Sequence, residues 1–411
     1  RGRINPTSAH IAFLVIGCIQ GLTAGFSVIT AQRFGAGDYE GVKRSVATSA
    51  LLSLAATVLL TAAGILTARP LLEVMNTPAD IIEDSYAYII VIYYGVVATA
   101  FYNLLSCIIR ALGDSKTPLI FLVFASFLNV ALDLLFIIIF HMGVGGAAWA
   151  TVLSQGVSGL LCLGYAWRRF PLLRMEKRHW TFDWSYAWKH LRLALPMAMQ
   201  FVITGISVLV NQAVLNLFGS AAVAAFSAAS KIHMLSEQVA VSFGTAMATY
   251  AGQNYGAGKV GRVREGLRKC ALACEGFTLG IMVIITAFGG VMSSWFIDEY
   301  HPEVIHQAHL YLFISALFYP ALTMLFLYRN TLLGLGNGVT PMLAGVCELL
   351  SRMIGAPVLG HFFGFTGLCW INPIAWVTAS GLLFLSYRKT MRNIRSVDPT
   401  EDASDSNKIM N

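Results

Sequence analysis

Three polar side chains stand in otherwise apolar sequence and could bind a cation: Asn129, Asp133 and Thr151. Asp133 lies within the run FLNVALDLLFIII, where a buried carboxylate costs at least about 2.5 kcal/mol and therefore marks a candidate functional site. Asn129 precedes it by four residues and shares its helix face. Thr151 follows the turn at 141–145 by about as many residues as Asp133 precedes it, which predicts a similar depth on a neighbouring antiparallel helix.

This group offers one carboxylate and two neutral oxygens, which suit a hard cation or a proton. We therefore predict that Asn129, Asp133 and Thr151 form a cation-coupling site, in which Asp133 and Asn129 are the ligands if the cation is Na⁺. A structural polar cluster between two helices is the alternative. The residue types do not separate Na⁺ from a proton, because both bind a carboxylate.

The second half of the chain also carries polar side chains within apolar runs. Glu348 and Arg352 are four residues apart, so they either line a cavity or neutralise each other as a pair on one helix face. Other polar residues are expected to line a cavity or to join helices by hydrogen bonds. These are Gln200, Asn211, Gln212, Asn216 and Gln238.

Composition indicates the class of protein in which these residues lie. Of 411 residues, 56% are hydrophobic and 12% are charged, whereas a soluble domain carries about 25% charged residues. Several apolar runs are long enough to cross a hydrocarbon core. The sequence predicts an all-α polytopic membrane protein with eleven spans, at about 10–32, 46–68, 86–109, 118–141, 145–167, 192–217, 222–250, 270–293, 307–332, 341–360 and 365–387.

Lys and Arg are distributed unevenly over the predicted loops. They concentrate in loops that alternation places on one side of the membrane: 33–45, 110–117, 167–192, 253–269 and 388–411. The positive-inside rule makes that side, and the C-terminus, cytoplasmic. The net charge of +7 is then loop charge that faces lipid headgroups, and we expect no nucleic-acid partner.

Short motifs recur at a nearly constant distance along the chain. Gln-x-x-Gly-Ala-Gly begins at Gln32 and again 221 positions later at Gln253. RALGDSKTP from Arg110 and GVGGAAW from Gly143 recur in the same order as GLGNGVTP and GFTGLCW. The chain is therefore predicted to consist of two halves, and the repeat is parallel because all matched motifs fall on the same side.

The repeat predicts an N-terminal lobe over 1–180, a C-terminal lobe over 181–395 and a disordered tail over 396–411. The first half lacks a counterpart of the span at 192–217. We therefore expect one more helix before Arg1, which would give twelve spans in two six-helix lobes. The repeated glycines, with Gly37 and Gly258 as examples, are predicted to end helices, since no strand precedes them as a dinucleotide-binding loop requires.

QRFGAGDYEGVKR, RALGDSKTP, NVALD followed by GVGGAAWAT, LRLALPMAMQF and YGAGKVGRV together resemble the multidrug and toxic compound extrusion (MATE) family. The resemblance covers about residues 5–390. It implies a twelve-helix exporter with two six-helix lobes around a central cleft, which expels organic cations and other drugs in exchange for Na⁺ or protons.

The resemblance also implies a cation site. Prokaryotic members bind the cation with an acid on the first helix, an Asn-x-x-x-Asp on the fifth and a Thr on the sixth. Asn129, Asp133 and Thr151 match the last three, and the first-helix acid has no counterpart in this sequence. Asn211 or Gln212 lies near the corresponding place in the second lobe, which would weaken a second cation site there.

We expect a secondary active multidrug exporter, not an enzyme, that works as a monomer in the cell membrane without a cofactor other than the coupling ion. Two alternatives stay open. A flippase or exporter of lipid-linked or polysaccharide precursors needs a more basic cleft than Lys231, Arg329 and Arg352 provide. A membrane-embedded transferase needs paired acids or histidines near one face.

Overall fold

A computed structural model of the protein describes residues 6–74, 82–297 and 301–397, and these residues form helices and short turns with no β-strand. The predicted all-α class is confirmed. The helices are α1 (Pro6–Gly35), α2 (Tyr39–Val74), α3 (Ile82–Ala111), α4 (Lys116–Leu134), α5 (Gly143–Arg169), α6 (Trp184–Leu215), α7 (Gly219–Gly256), α8 (Val260–Ser294), α9 (Pro302–Leu317), α10 (Tyr319–Gly334), α11 (Val339–Cys369) and α12 (Ile371–Val397).

By length and composition, eight helical stretches of the described chain could cross a membrane, or nine if the bent pair α9 and α10 forms one span. One of these stretches, Trp184–Gly256, comprises both α6 and α7. α12 is not among them. The eleven predicted spans lie on helices, and the predicted break between 341–360 and 365–387 coincides with Gly364, where two helical segments of α11 meet at a kink.

The chain divides into two compact units, Arg1–Gly205 (the first unit) and Ile206–Asn411 (the second unit). The division falls inside α6, because the first part of that helix packs within the first unit. There Ala194 and Ala198 share a buried cluster with Leu22 and Phe26 of α1. The predicted lobe boundary at 180 lies before α6. Of the predicted disordered tail, 396–411, residues 398–411 lie outside the described residues.

Glycines bring α1 and α6 into close contact within the first unit. A Cβ atom on Gly25 would lie 2.4 Å from the Cα atom of Ala194, and one on Gly21 would lie 2.7 Å from the Cα atom of Ala198. Two membrane helices approach this closely only where small residues face each other. The spacing of four residues places both glycines on the same face of α1.

The backbone reproduces the repeat seen in the sequence. Left-handed φ angles favour glycine because it has no Cβ atom, and such glycines end helices or interrupt them at matching positions in both halves. The matched pairs are Gly37 (φ 71°) with Gly258 (72°), Gly113 (98°) with Gly336 (88°), and Gly143 (60°) with Gly364 (59°). The prediction that Gly37 and Gly258 end helices is confirmed.

Asp114 fixes the start of α4. Its carboxylate accepts hydrogen bonds from the backbone N–H of Thr117 at 3.1 Å and from the hydroxyl of Tyr165 at 2.6 Å. Burial raises the pKa of Asp114, but the hydrogen bonds from Tyr165 and Thr117 outweigh it, so the pKa lies below its usual value. Asn337, the repeat counterpart, accepts from the N–H of Thr340 at 3.1 Å.

Large apolar side chains are exposed along the helices, as lipid-facing helices require. Leu66 is 78% exposed, Phe127 is 73% exposed and Phe277 is 63% exposed. In a soluble protein such a surface would be an aggregation hazard. The buried clusters are smaller and lie within each unit, for example around Leu312 and Leu325 in the second unit.

Candidate cation-coupling site

Asp133 lies in the last turn of α4, and its Oδ1 atom is buried without a hydrogen-bond partner among the described residues. Burying a carboxylate oxygen without a hydrogen-bond partner costs free energy unless a proton, a cation or a water molecule binds to it. The residue as a whole is half-buried. This oxygen is therefore available to a ligand that the protein itself does not supply.

Asn129 and Thr151 come together across the α4–α5 interface. The Nδ2 atom of Asn129 donates to the Oγ1 atom of Thr151 at 3.5 Å, which is a long hydrogen bond. The Thr151 hydroxyl in turn donates to the carbonyl of Ala147 at 3.1 Å. This arrangement leaves the carboxamide oxygen of Asn129 and one lone pair of Thr151 for a ligand.

Two further polar residues belong to this region and were not among the predicted site residues. The Tyr88 phenol on α3 lies within electrostatic range of the Asp133 carboxyl. Gln155 lies one turn after Thr151 on α5, and its Oε1 atom is buried with no partner in the described part of the chain. The four-residue spacing from Thr151 was a signal for Gln155. Tyr88 had no such signal, because it comes from a third helix.

The helix geometry changes directly after Asp133. Leu135–Ile139 form a π-helical turn, and the N–H of Phe140 bonds to the carbonyl of Leu135 at 3.0 Å. His141 then adopts a left-handed conformation with φ of 52°. Single π turns occur frequently at functional sites, and this one adjoins the carboxylate whose oxygen is unpartnered.

The chemistry of this group is that of one acid with neutral oxygens. Among the described residues, no three His, Cys, Asp or Glu side chains come together to hold a metal ion. A metal ion here would therefore depend on Asp133 and the neutral oxygens of Asn129 and Thr151, which suit Na⁺ better than a transition metal. A proton would need the Asp133 carboxylate alone. The coupling role of these three residues stays a prediction.

Glu348 and Arg352 belong to a larger charged cluster in the second unit. Glu348 on α11 pairs most closely with Arg329 on α10, and its Oε2 atom lies 3.6 Å from Arg352 Nη2. All three side chains are at least 86% buried. Glu348 and Arg352 therefore form the ion pair that the four-residue spacing indicated, and Arg329 from another helix is a second positive partner of Glu348.

Arg352 also holds neutral partners from two other helices. It donates from Nε to Asn372 Oδ1 at 3.1 Å and from Nη1 to Ser207 Oγ at 2.7 Å. Asn372 donates onward to the Tyr311 hydroxyl at 3.0 Å. These contacts connect α6, α9, α11 and α12 within the second unit.

The remaining predicted residues are more scattered. Gln200 is buried in the first unit. In the second unit, Gln212 near the end of α6 donates from Nε2 to Oδ1 of Asn216, in the exposed turn that follows, at 2.9 Å. Asn211 is half-buried beside them, and Gln238 on α7 is exposed. Their cavity-lining role stays a prediction.

A charged pocket of about 460 Å³ lies in the first unit beside the start of α2. His179 Nε2 lies 2.8 Å from Glu40 Oε2, and Arg44 Nη2 lies 2.5 Å from Asp183 Oδ2. These pairs fasten the polar segment before α6 to α2. The pocket is lined by Arg33, Asp38, Glu40, Gly41, Arg44, Arg178, His179, Thr181 and Tyr186.

Long apolar helices, two repeated halves and a carboxylate oxygen left open inside the first unit define a polytopic helical membrane transporter. The family model MatE matches residues 7–135 and 196–358, which is more than half of the chain. The protein belongs to this family, the multidrug and toxic compound extrusion family, and the resemblance seen in the sequence is confirmed.

Known relatives agree with this assignment. The probable multidrug resistance protein YpnP of Bacillus subtilis is 32% identical over 383 residues, which cover 92% of this chain and 82% of YpnP. The probable multidrug resistance protein YoeA of the same organism is 26% identical over 385 residues, with 91% and 82% covered. Neither name supports the flippase or the transferase alternative.

Solved structures share the fold. A multidrug resistance MATE family transporter of the MOP superfamily, solved in an outward-facing conformation, matches with a TM-score of 0.89 and 23% identity. The match covers 96% of this chain and 90% of that structure. At this identity the likeness shows the fold alone.

Proposed function

We propose that the protein is a secondary active exporter of amphipathic organic compounds, organic cations included, which it exchanges for Na⁺ or H⁺ by alternating access. Membership of the MATE family and similarity to the probable multidrug resistance proteins YpnP and YoeA support drug export. We further propose that it acts as a monomer in the cell membrane, with a cytoplasmic C-terminus and no cofactor other than the coupling ion.

The observation that carries this proposal is the buried Oδ1 atom of Asp133, which has no partner among the described residues and lies on the same helix face as Asn129. In the proposed mechanism, a cation that binds there neutralises the carboxylate and alters the packing of α4 against α5. Cargo and cation then favour different conformations, so each reduces the affinity for the other by linkage.

The test is export of an ethidium-like dye by cells that express the protein with Asp133→Asn. The amide keeps the shape of the side chain but cannot carry the negative charge, so we expect gradient-driven efflux to fall at least about tenfold. Glu265→Gln is the control, because Glu265 is 61% exposed and forms a surface ion pair with Lys269. Unchanged efflux by the Asp133→Asn variant would remove Asp133 from the mechanism.

The same assay identifies the coupling ion. Membrane vesicles receive either a Na⁺ gradient at equal pH on both sides or a pH gradient without Na⁺. Dye movement in one arm names the ion. Dye movement in neither arm, from well-folded protein, would contradict secondary active export itself.

A further inference from the structure

A histidine and a carboxylate form a buried pair in the second unit, apart from Asp133. His233 and Glu237 lie one turn apart on α7, with His233 Nε2 3.8 Å from Glu237 Oε2. The His233 side chain is 11% exposed, whereas that of Glu237 is 34% exposed. Part of the Glu237 side chain therefore lies at the surface of its helix, while His233 stays enclosed.

The opposite edge of the imidazole contacts a phenol. His233 Nδ1 lies 3.1 Å from the hydroxyl of Tyr319. In the tautomer with its proton on Nε2, Nδ1 accepts a hydrogen bond from Tyr319 and the Nε2–H group points toward Glu237. A protonated imidazole donates from both nitrogens, so proton uptake by the ring reverses the bond to Tyr319.

Aromatic rings surround His233. The indole of Trp376 on α12 is stacked on the imidazole, with ring centroids 5.4 Å apart and planes at 18°. The rings of Tyr319 and Tyr311 lie at 5.6 Å and 6.5 Å. Trp376, Tyr319 and Tyr311 are at most 3% exposed. The face of an aromatic ring attracts a cation, which offsets part of the cost of charging an imidazole that is removed from water.

The charges around the pair balance each other. Arg352 on α11 lies within electrostatic range of His233, and Glu237 lies within range of Arg329, Arg352 and Glu348. Burial and the two arginines oppose a charge on the imidazole, whereas Glu237, Glu348 and the aromatic rings favour it. With Glu237 ionised and His233 neutral, these four charged groups sum to zero. The surrounding charges therefore cancel, and burial of the imidazole is what makes an added proton weakly held.

We propose that His233 and Glu237 form a proton-binding site of the second unit, which takes up one proton from water and shares it between the imidazole and the carboxylate. Because the two groups are so close, the proton belongs to the pair. The site is separate from Asp133 and does not depend on the proposed export function. Tyr319 is the first residue of α10, where α9 and α10 meet at a bend of 52°. Protonation of His233 therefore reverses a hydrogen bond to a residue at that bend.

Trp376 provides the test, because a protonated imidazole stacked on an indole quenches its fluorescence. We expect the emission of purified protein in detergent to fall as the pH is lowered below the range of about 5 to 8 in which an unperturbed histidine titrates, because burial disfavours the charged ring. A Trp376→Phe variant identifies the part of the signal that comes from Trp376. His233→Gln should abolish that pH-dependent part.

Two milder variants move the midpoint in opposite directions. Glu237→Gln removes the negative partner of the imidazolium, so the midpoint should fall by about one pH unit. Tyr319→Phe removes the donor that stabilises the neutral imidazole, so the midpoint should rise. Asp133→Asn should leave the titration unchanged, which separates this proposal from the export proposal.

Two results would overturn the proton-binding site. One is Trp376 emission that stays constant with pH in folded wild-type protein. The other is a pH response that persists in the His233→Gln variant. Shifts of the same sign in Glu237→Gln and Tyr319→Phe would show that the assigned hydrogen-bond direction is wrong.

Discussion

Asp133 and Glu348 both place carboxylate oxygens among apolar helices, but their surroundings differ. Asp133 leaves its Oδ1 atom without a partner among the described residues, whereas Glu348 is enclosed by Arg329 and Arg352. An unpartnered oxygen can gain or lose a ligand, but a carboxylate between two guanidinium groups is already neutralised. Asp133 is therefore suited to reversible binding and Glu348 to fixing helices.

Glu348→Gln tests that distinction. The substitution leaves two buried arginines without their negative partner, which typically costs about 3–5 kcal/mol. We expect a large loss of thermal stability, measured as the fraction of protein that stays monodisperse after heating in detergent. Glu265→Gln, at an exposed pair with Lys269, should change the free energy of unfolding by less than about 1 kcal/mol. Equal stability of the two variants would show that the buried cluster is not structural.

The residues that sequence spacing could predict are those whose partners share a helix or an adjacent hairpin. Asn129 and Thr151 follow from counting away from one turn, and the structure brings them into contact. Arg329 as the main partner of Glu348 could not be predicted in this way. It comes from another helix, and the four-residue spacing pointed to Arg352 instead.

Helix packing in the first unit depends on glycine at defined places. The face of α1 with Gly21 and Gly25 approaches the backbone of α6 so closely that a Cβ atom at either position would overlap it. Backbone atoms cannot rotate away as a flexible side chain can. The two helices must separate if these glycines are replaced.

Gly21→Ala measures this constraint. Alanine stabilises an isolated helix by about 1 kcal/mol relative to glycine, but overpacking costs about 1–3 kcal/mol, so we expect a net loss of stability on heating in detergent. Gly164→Ala on α5 is the matched control, because a Cβ atom there meets no described atom within 4 Å. It should be neutral or stabilising. A Gly21→Ala variant as stable as Gly164→Ala would contradict the close contact.

Apolar periods and lengths predicted the helices well, and the gap between the predicted spans 341–360 and 365–387 contains the kink at Gly364. They did not predict the π turn at Leu135–Ile139, which is a local change of backbone conformation within a continuous apolar run. The repeat offered a second signal for the kink, since Gly364 matches Gly143 at a position where the first half turns.

At the scale of the whole molecule, the two halves share the positions at which their helices end, but they do not share their buried charged residues. The positive-φ glycines recur in matched pairs, whereas the open carboxylate belongs to the first unit and the arginine cluster to the second. The parallel repeat and the uneven loop charge predict that matched helix ends share one side of the membrane.

Cysteine labelling tests this topology. In a variant without its natural cysteines, Glu83→Cys at the exposed start of α3 should react with an impermeant maleimide in intact cells. Lys259→Cys, in the exposed turn before α8, should react only after the membrane is permeabilised. The reverse pattern would invert the orientation, and labelling of both in intact cells would contradict the predicted alternation.

The membrane potential does work on any charge that moves through it, about 2.3 kcal/mol per elementary charge for each 100 mV. The arginine–glutamate cluster of the second unit, with Glu237 ionised, sums to zero and does no net electrical work if it moves. Asp133 differs, because it is negative when empty and neutral when it carries a monovalent cation. On the proposed mechanism, voltage therefore acts on the return of the empty transporter, through a single carboxylate.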